Sequence, residues 1–135
     1  MPQMPLSTSS RRAFTLIEIA VILVIIALMM IIVIPHFLVQ AKERKARRVK
    51  QDLVALNVAI EHYALDNGKV SGYRLSYADL QKYLDPKTDV YQRDGRDILG
   101  DSYGPFTVGQ RPAVPTKTAT ELSTVAGADY WSPFQ

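Results

Sequence analysis

The pattern of apolar positions divides this chain into segments that predict different elements. Positions 14–34 form an almost unbroken apolar run, in which fifteen of the twenty-one residues are Leu, Ile, Val or Phe and Glu18 is the only charged one. About 20 apolar residues in a helix match the hydrocarbon thickness of a bilayer. The fifteen large apolar side chains favour insertion by about −5 to −9 kcal/mol, whereas one carboxylate opposes it by about +3 kcal/mol. The run therefore predicts a membrane-spanning helix that includes Glu18.

A second apolar pattern follows and predicts an amphipathic helix. Apolar side chains recur at spacings of four and three residues and form one stripe, which consists of Val49, Leu53, Leu56, Ile60 and Tyr63. Residues 66–68, Asp-Asn-Gly, predict the end of this helix, because Gly and Asn tolerate the left-handed conformation of a helix C-cap. Pro35 lies near the end of the apolar run. We expect it to kink or locally melt the helix, since it lacks an N–H donor.

The remaining residues predict short elements. Ser76 to Asp79 forms a capping box, and residues 106–108 are typical of a strand. A second capping box, Thr118 to Glu121, predicts another short helix, and the aromatic residues 130–134 predict a last strand or a plug on the head. The fold class is therefore α+β: a long N-terminal helix, with a transmembrane half and an amphipathic half, packs against a small C-terminal head with short helices and a small antiparallel sheet.

Residues 11–18, Arg-Arg-Ala-Phe-Thr-Leu-Ile-Glu, stand directly before the uninterrupted apolar helix. This arrangement resembles the prepilin cleavage and methylation motif of type IV pilins and type II secretion pseudopilins. The resemblance implies cleavage between Ala13 and Phe14, N-methylation of Phe14, and pairing of Glu18 with the amine of a neighbouring subunit during assembly. Pro35 also falls where these families often carry a proline. The chain departs from the family at Ala13, where a glycine is usual.

The same resemblance implies four parts: a prepilin leader at 1–13, a transmembrane and assembly helix at 14–37, a basic neck and amphipathic helix at 38–67, and a small α+β head at 68–135. Residues 51–68, which close on Leu-Asp-Asn-Gly, are similar to the corresponding helix of major pseudopilins. Many type IV pilins carry a disulfide-bounded loop near the C-terminus, and this chain has no cysteine. The lack of cysteine favours the pseudopilin branch or a short pilin.

Physical chemistry alone allows two interpretations of Glu18. An acid within a membrane span is costly to bury and is usually there for a partner. The ammonium that cleavage would create at Phe14 is close to it in sequence, so one subunit could offer its amine to the carboxylate of the next. In the alternative, Glu18 lies at the edge of the span and snorkels to the head groups.

A basic segment follows the span. Positions 42–50 carry six basic residues and one acidic residue, whereas positions 51–135 carry eight basic and eleven acidic residues. Such a segment is compatible with nucleic acid or anionic lipid, and equally with a solvated helix face or with pairing to the acidic head of another subunit. The positive-inside rule alone would place this segment in the cytoplasm. The family resemblance implies the opposite orientation, with only the leader arginines inside.

No catalytic constellation stands out in the sequence. His36 and His62 are the only histidines, and neither a glycine-rich phosphate loop nor a nucleophile elbow is present. Asp94, Asp97 and Asp101 are weak calcium candidates, since their spacing does not follow an EF-hand loop and turn-forming acids explain them equally well. We therefore expect no enzyme activity and no cofactor other than this weak calcium possibility.

The resemblance implies a structural subunit of a pilus-like helical filament, a type II secretion pseudopilin of the major type, processed by prepilin peptidase. The alternatives are a type IV pilus pilin and a non-assembling, signal-anchored binding protein. The implied partners are further copies of the chain, prepilin peptidase, the inner-membrane assembly platform, minor pseudopilins or pilins, and membrane lipid before assembly, whereas nucleic acid is not expected. The implied location is a single pass of the bacterial inner membrane, with a cytoplasmic N-terminus and a periplasmic head, followed by a periplasmic or extracellular filament.

Overall fold

The structure, a computed structural model, describes residues 2–4 and 13–135. Most of the predicted leader at 1–13 lies outside the described residues. Contacts between residues divide the chain into two compact units, Met1–Phe37 and Leu38–Gln135. Every buried residue of the described chain belongs to the second unit, between Ala46 and Phe134. The first unit therefore has no core of its own.

The long helix α1 spans Leu16–Asn67 and contains Pro35. Its N-terminal part is long and apolar enough to cross a membrane by length and composition, with a mean hydropathy of 3.3 over its most apolar window. The helix runs through Pro35 without a break, so the expected local melting does not occur. Proline removes one N–H donor, and the remaining hydrogen bonds of the adjoining turns maintain the helix on both sides.

The second half of α1 presents the predicted apolar stripe to the core. Val49, Leu53 and Leu56 are fully buried, Ile60 is 3% exposed, and Tyr63 packs against the same core as a partly buried residue. The helix ends at Asn67, as the sequence predicts. The backbone N–H of Lys69 bonds the carbonyl of Ala64 at 3.0 Å, and Gly68 takes a φ of +60°. This hydrogen bond and the left-handed glycine are typical of a Schellman C-cap.

The head consists of short elements in chain order. These are β1 (Arg74–Leu75), α2 (Tyr77–Gln81), α3 (Asp89–Gln92), β2 (Phe106–Thr107), α4 (Thr116–Glu121) and α5 (Ala128–Trp131). Strands β1 and β2 pair antiparallel, with Arg74 opposite Thr107 and Leu75 opposite Phe106. The predicted α+β class, with a long helix, short helices and a small antiparallel sheet, is confirmed.

The capping box before α2 is present as predicted. The carboxylate of Asp79 accepts hydrogen bonds from the backbone N–H of Ser76 at 3.0 Å and from its hydroxyl at 2.8 Å. These bonds hold the pKa of Asp79 below its usual value. The β-strand predicted at 106–108 is also found, in the slightly shorter form Phe106–Thr107.

The capping box predicted at Thr118 is wrong. Helix α4 begins two residues earlier, at Thr116, and Thr118 lies inside it with its side chain fully buried. Of the two outcomes expected for the C-terminal aromatic residues, the plug is the one found. Trp131 and Phe134 are 3% and 6% exposed within the core, and the segment forms a helical turn rather than a strand.

Candidate functional site

The N-terminal end of α1 holds the residues that the sequence motif singled out. The carbonyl of Thr15 accepts the backbone N–H of Ile19 at 3.2 Å, and its hydroxyl accepts the N–H of Glu18 at 3.2 Å. Thr15 is therefore the N-cap, and Glu18 is the third residue of the helix. The sequence contains a signal for this N-cap that the predictions above lack, because Thr-x-x-Glu is the pattern of a capping box.

The predicted processing bond lies outside the helix. Ala13 and Phe14 precede α1 and belong to no helix or strand, and both are exposed, with Phe14 67% exposed. A protease binds its substrate as an extended chain more readily than as a helix, because helical backbone groups are already hydrogen-bonded to each other. The predicted bond therefore lies outside the hydrogen-bonded helix.

Glu18 lies on a helix whose apolar side chains are uncovered. From Leu16 to Val39 the large apolar side chains are between 43% and 89% exposed. The carboxylate of Glu18 makes no hydrogen bond or ion pair with any residue that the structure describes. A continuous apolar surface of this size requires lipid or other protein around it. The carboxylate in the first turn of this helix therefore enters an apolar environment without a partner among the residues that the structure describes.

A second group of charged residues lies between the second half of α1 and helix α3 of the head. Asp52 is 3% exposed, and its Oδ2 accepts a hydrogen bond from Tyr103 Oη at 3.0 Å. Arg93 Nη2 is 3.8 Å from the same oxygen and 3.1 Å from Asp89 Oδ2. Burial raises the pKa of Asp52 to about 6, although the Tyr103 hydrogen bond and the charge of Arg93 oppose this rise. No local sequence pattern indicates this group, because its members are up to 51 positions apart.

We expect the pKa of Asp52 to make the folded head less stable at neutral pH than at pH 4. A native pKa of about 6 exceeds the usual 3.8, so the native state binds more protons between these values. The free energy of unfolding then falls as pH rises from about 4 to about 6, by about 1–3 kcal/mol. Urea unfolding of a fragment 38–135 at pH 4, 5, 6 and 7 measures this fall.

The matched variant for this prediction is Asp52→Asn, which keeps an oxygen to accept from Tyr103 but does not titrate. Arg93 retains Asp89 as its ion-pair partner in this variant. The difference in stability between wild type and variant should therefore change by about 1–3 kcal/mol between pH 4 and pH 7. Contributions from other acids, such as Asp79, cancel in this comparison. A difference that is constant with pH would refute the assignment.

The three calcium candidates occupy one turn region but have different roles. The Oδ1 atom of Asp97 accepts the backbone N–H groups of Leu99 and Asp101, at 2.9 Å each, and its Oδ2 accepts the hydroxyl of Thr118. The hydroxyl of Thr118 is also 3.2 Å from Asp101 Oδ2. Asp97 and Thr118 thus connect the loop to α4, a contact that the sequence reading missed.

Asp94 is exposed and takes a left-handed φ of 54°, which agrees with its predicted turn. Within residues 2–4 and 13–135, no group of three or more His, Cys, Asp or Glu side chains is arranged to hold a metal ion. The oxygens of Asp97 are already hydrogen-bonded within the head. The described geometry therefore explains Asp97 as a residue that organises its loop.

Comparisons with known proteins give curated relatives, although no family model and no solved structure matches. A type II secretion system core protein G from Klebsiella michiganensis is 30% identical over 112 residues, which cover 75% of this chain and 77% of that protein. The protein of the same name from Pectobacterium carotovorum subsp. carotovorum is 32% identical over 108 residues, 74% of this chain and 69% of that protein. The one from Escherichia coli K12 is 36% identical over 61 residues, 45% of this chain and 42% of that protein.

An apolar helix that begins at a capped, acid-bearing turn, and whose amphipathic half carries a small α+β head, defines a pilin-like subunit with a membrane anchor. The identity and coverage of the relatives make the class more specific. The chain belongs to the type II secretion system core protein G family, the major pseudopilins. The predicted pseudopilin branch is thereby confirmed over the type IV pilin branch. Anchoring in the inner membrane, within a secretion system, is in keeping with this family and with the apolar helix.

Proposed function

We propose that this chain is the major subunit of a type II secretion pseudopilus. In this proposal, prepilin peptidase cleaves the chain before Phe14. The apolar half of α1 then drives polymerisation of the cleaved chain into a helical filament. The observation that carries the proposal is the state of Glu18. It is an exposed acid in the first turn of an uncovered apolar helix, and it has no partner among the described residues. A helix of this kind becomes stable when copies of it surround one another.

Pairing between subunits would provide Glu18 with a partner. In a filament the apolar helices lie among other apolar helices, where an unpaired carboxylate costs several kcal/mol. The amine of Phe14 on an adjacent subunit neutralises it. Each such pair also fixes the axial position of one subunit against the next, because both charges lie at one end of the helix.

The proposal extends to partners and location. The chain crosses the inner membrane once before assembly, with its N-terminus in the cytoplasm and its head in the periplasm. It engages prepilin peptidase, the assembly platform and minor pseudopilins, and it binds no nucleic acid. The head has no catalytic role and needs no cofactor. In support, the carboxylate of Asp97 is satisfied by hydrogen bonds within the head, and the relatives are named as core proteins of a secretion system.

Processing at the Ala13–Phe14 bond is the first test. We expect the intact mass of the protein from membranes of a strain that expresses prepilin peptidase to correspond to a chain that begins at N-methylated Phe14. A strain that lacks the peptidase should yield the unprocessed mass. The variant Ala13→Gly restores the residue usual in the family and should be processed at least as fast. A functional protein that begins at Met1 or Met4 would contradict the proposal.

A further inference from the structure

The proposed function assigns no role to the basic segment that follows the span. This neck, residues 42–50, contains six cations, and the structure separates them into two sets. Lys42 and Lys50 lie on the side of α1 that faces the head. Lys50 Nζ donates to the carbonyl of Tyr130 at 2.8 Å and lies 4.8 Å from the centre of its ring. Lys42 Nζ is 3.5 Å from the hydroxyl of Thr124. These two cations contribute to the attachment of the head.

Of the other four cations, three are exposed and one is half-buried. Ala46 and Val49 are the neck residues buried against the head, and the helical repeat of 100° per residue places the remaining basic positions on the other sides of α1. The exposed cations are Arg44, Arg47 and Arg48, and Lys45 is half-buried at the edge of the face that they form. We call these four the outward cations.

The neutralisation of the outward cations within the chain is weak. Arg47 lies 3.7 Å from Glu43, and Arg48 lies 4.0 Å from Asp89. The two arginines and their two acidic partners are each at least 43% exposed. Arg44 and Lys45 have no hydrogen bond or ion pair with any residue in the described part of the chain. Exposed ion pairs at such distances contribute little to stability. The outward cations therefore retain most of their positive charge and repel one another.

We propose that this outward face binds the anionic head groups of the membrane in which the chain is anchored. The inference rests on the membrane-anchored state of the proposed function. The neck begins five positions after Phe37, the last residue of the apolar unit, and basic side chains beside a membrane are attracted electrostatically to anionic lipid head groups. The charge is complementary to a phosphatidylglycerol surface. Before assembly, the neck holds the subunit in the bilayer by electrostatic attraction as well as by its apolar helix.

The test uses the full chain, reconstituted in nanodiscs of equal parts phosphatidylglycerol and phosphatidylcholine and then extracted gently with detergent. The lipids that remain bound are counted by native mass spectrometry after extraction at 50 mM and at 500 mM NaCl. We expect phosphatidylglycerol to exceed phosphatidylcholine by about fivefold or more at low salt, and the excess to fall towards one at high salt because the interaction is screened.

The triple variant Arg44→Gln, Lys45→Gln, Arg47→Gln should reduce the excess to about one at low salt. The matched control, Lys82→Gln, Lys87→Gln, Arg111→Gln, removes three exposed cations of the head and should retain the excess. An equal loss in both variants, or no loss in either, would overturn the proposal. Unchanged lipid binding together with fewer filaments in the neck variant would also overturn it, in favour of pairing between the neck and an acidic head of another copy. Because lipid binding is measured on the unassembled subunit, its failure is distinguishable from a failure of filament assembly.

Discussion

Glu18→Val is expected to produce a stable, membrane-resident protein that forms at least about tenfold fewer filaments than wild type. The substitution removes the acid that pairs with the amine of Phe14 on the next subunit, and leaves that amine without a partner in an apolar environment, at a cost of several kcal/mol. A loss of 1.4 kcal/mol per contact is already a factor of ten. Membrane insertion should be kept or improved, because the penalty of about 3 kcal/mol for the carboxylate disappears.

The measurement is the number and length of filaments by electron microscopy, alongside the amount of processed protein in the membrane fraction. Thr15→Ala is the matched control, since it removes the hydroxyl that accepts the N–H of Glu18 but keeps the carboxylate. This change weakens the start of the helix by about 1 kcal/mol and should leave assembly largely intact. Normal filaments from Glu18→Val would show that the acid acts as a residue at the edge of the span rather than as a pairing group.

Leu53→Ala is expected to destabilise the head by about 2–5 kcal/mol. Leu53 lies on the second half of α1 and has 0% of its surface exposed, so truncation removes buried apolar contacts and leaves a cavity. A small domain has only about 5–15 kcal/mol of stability in total. For a domain of this size the change lowers the Tm by about 10–30 °C.

Thermal unfolding of a fragment 38–135 measures this effect, because that fragment contains every buried residue described. Trp131 is the only tryptophan and is 3% exposed in the core, so its fluorescence reports unfolding directly. Val54→Ala is the matched control: it is the next residue on the same helix, but 47% exposed, and should change stability by about 0.5 kcal/mol or less. Equal effects of the two substitutions would mean that the head does not pack on the stripe that contains Leu53.

The features that could be predicted from the sequence are those that depend on neighbouring residues. The stripe that includes Leu53 repeats within a few positions, the end of α1 at Asn67 is marked by the following glycine, and the capping box at Ser76 spans four residues. Each of these is decided by local backbone geometry and side-chain periodicity. The motif around Phe14 can also be recognised from the sequence, because its residues are contiguous with the apolar run.

The features that were missed depend on residues that are distant in the chain. Strand β1 has only two residues, Arg74 and Leu75, and exists because β2 pairs with it more than 30 positions later. Thr118 matches a capping pattern, but its hydroxyl bonds Asp97, and the helix begins at Thr116 instead. In both cases tertiary contacts override the local preference, and a single sequence contains no signal for them.

The position of the first helical residue gives the proposed cleavage an electrostatic consequence. Helix α1 begins at Leu16, so a new ammonium at Phe14 would lie two residues before it, beside the positive end of the helix macrodipole. A cation there is unfavourable by about 0.3–1 kcal/mol, whereas an anion is favourable by a similar amount. The unprocessed chain has a neutral peptide bond at this place, and its nearest leader cations are Arg11 and Arg12. Cleavage would thus create an end of the helix that attracts the carboxylate of another copy, so that processing itself makes the subunit competent to assemble.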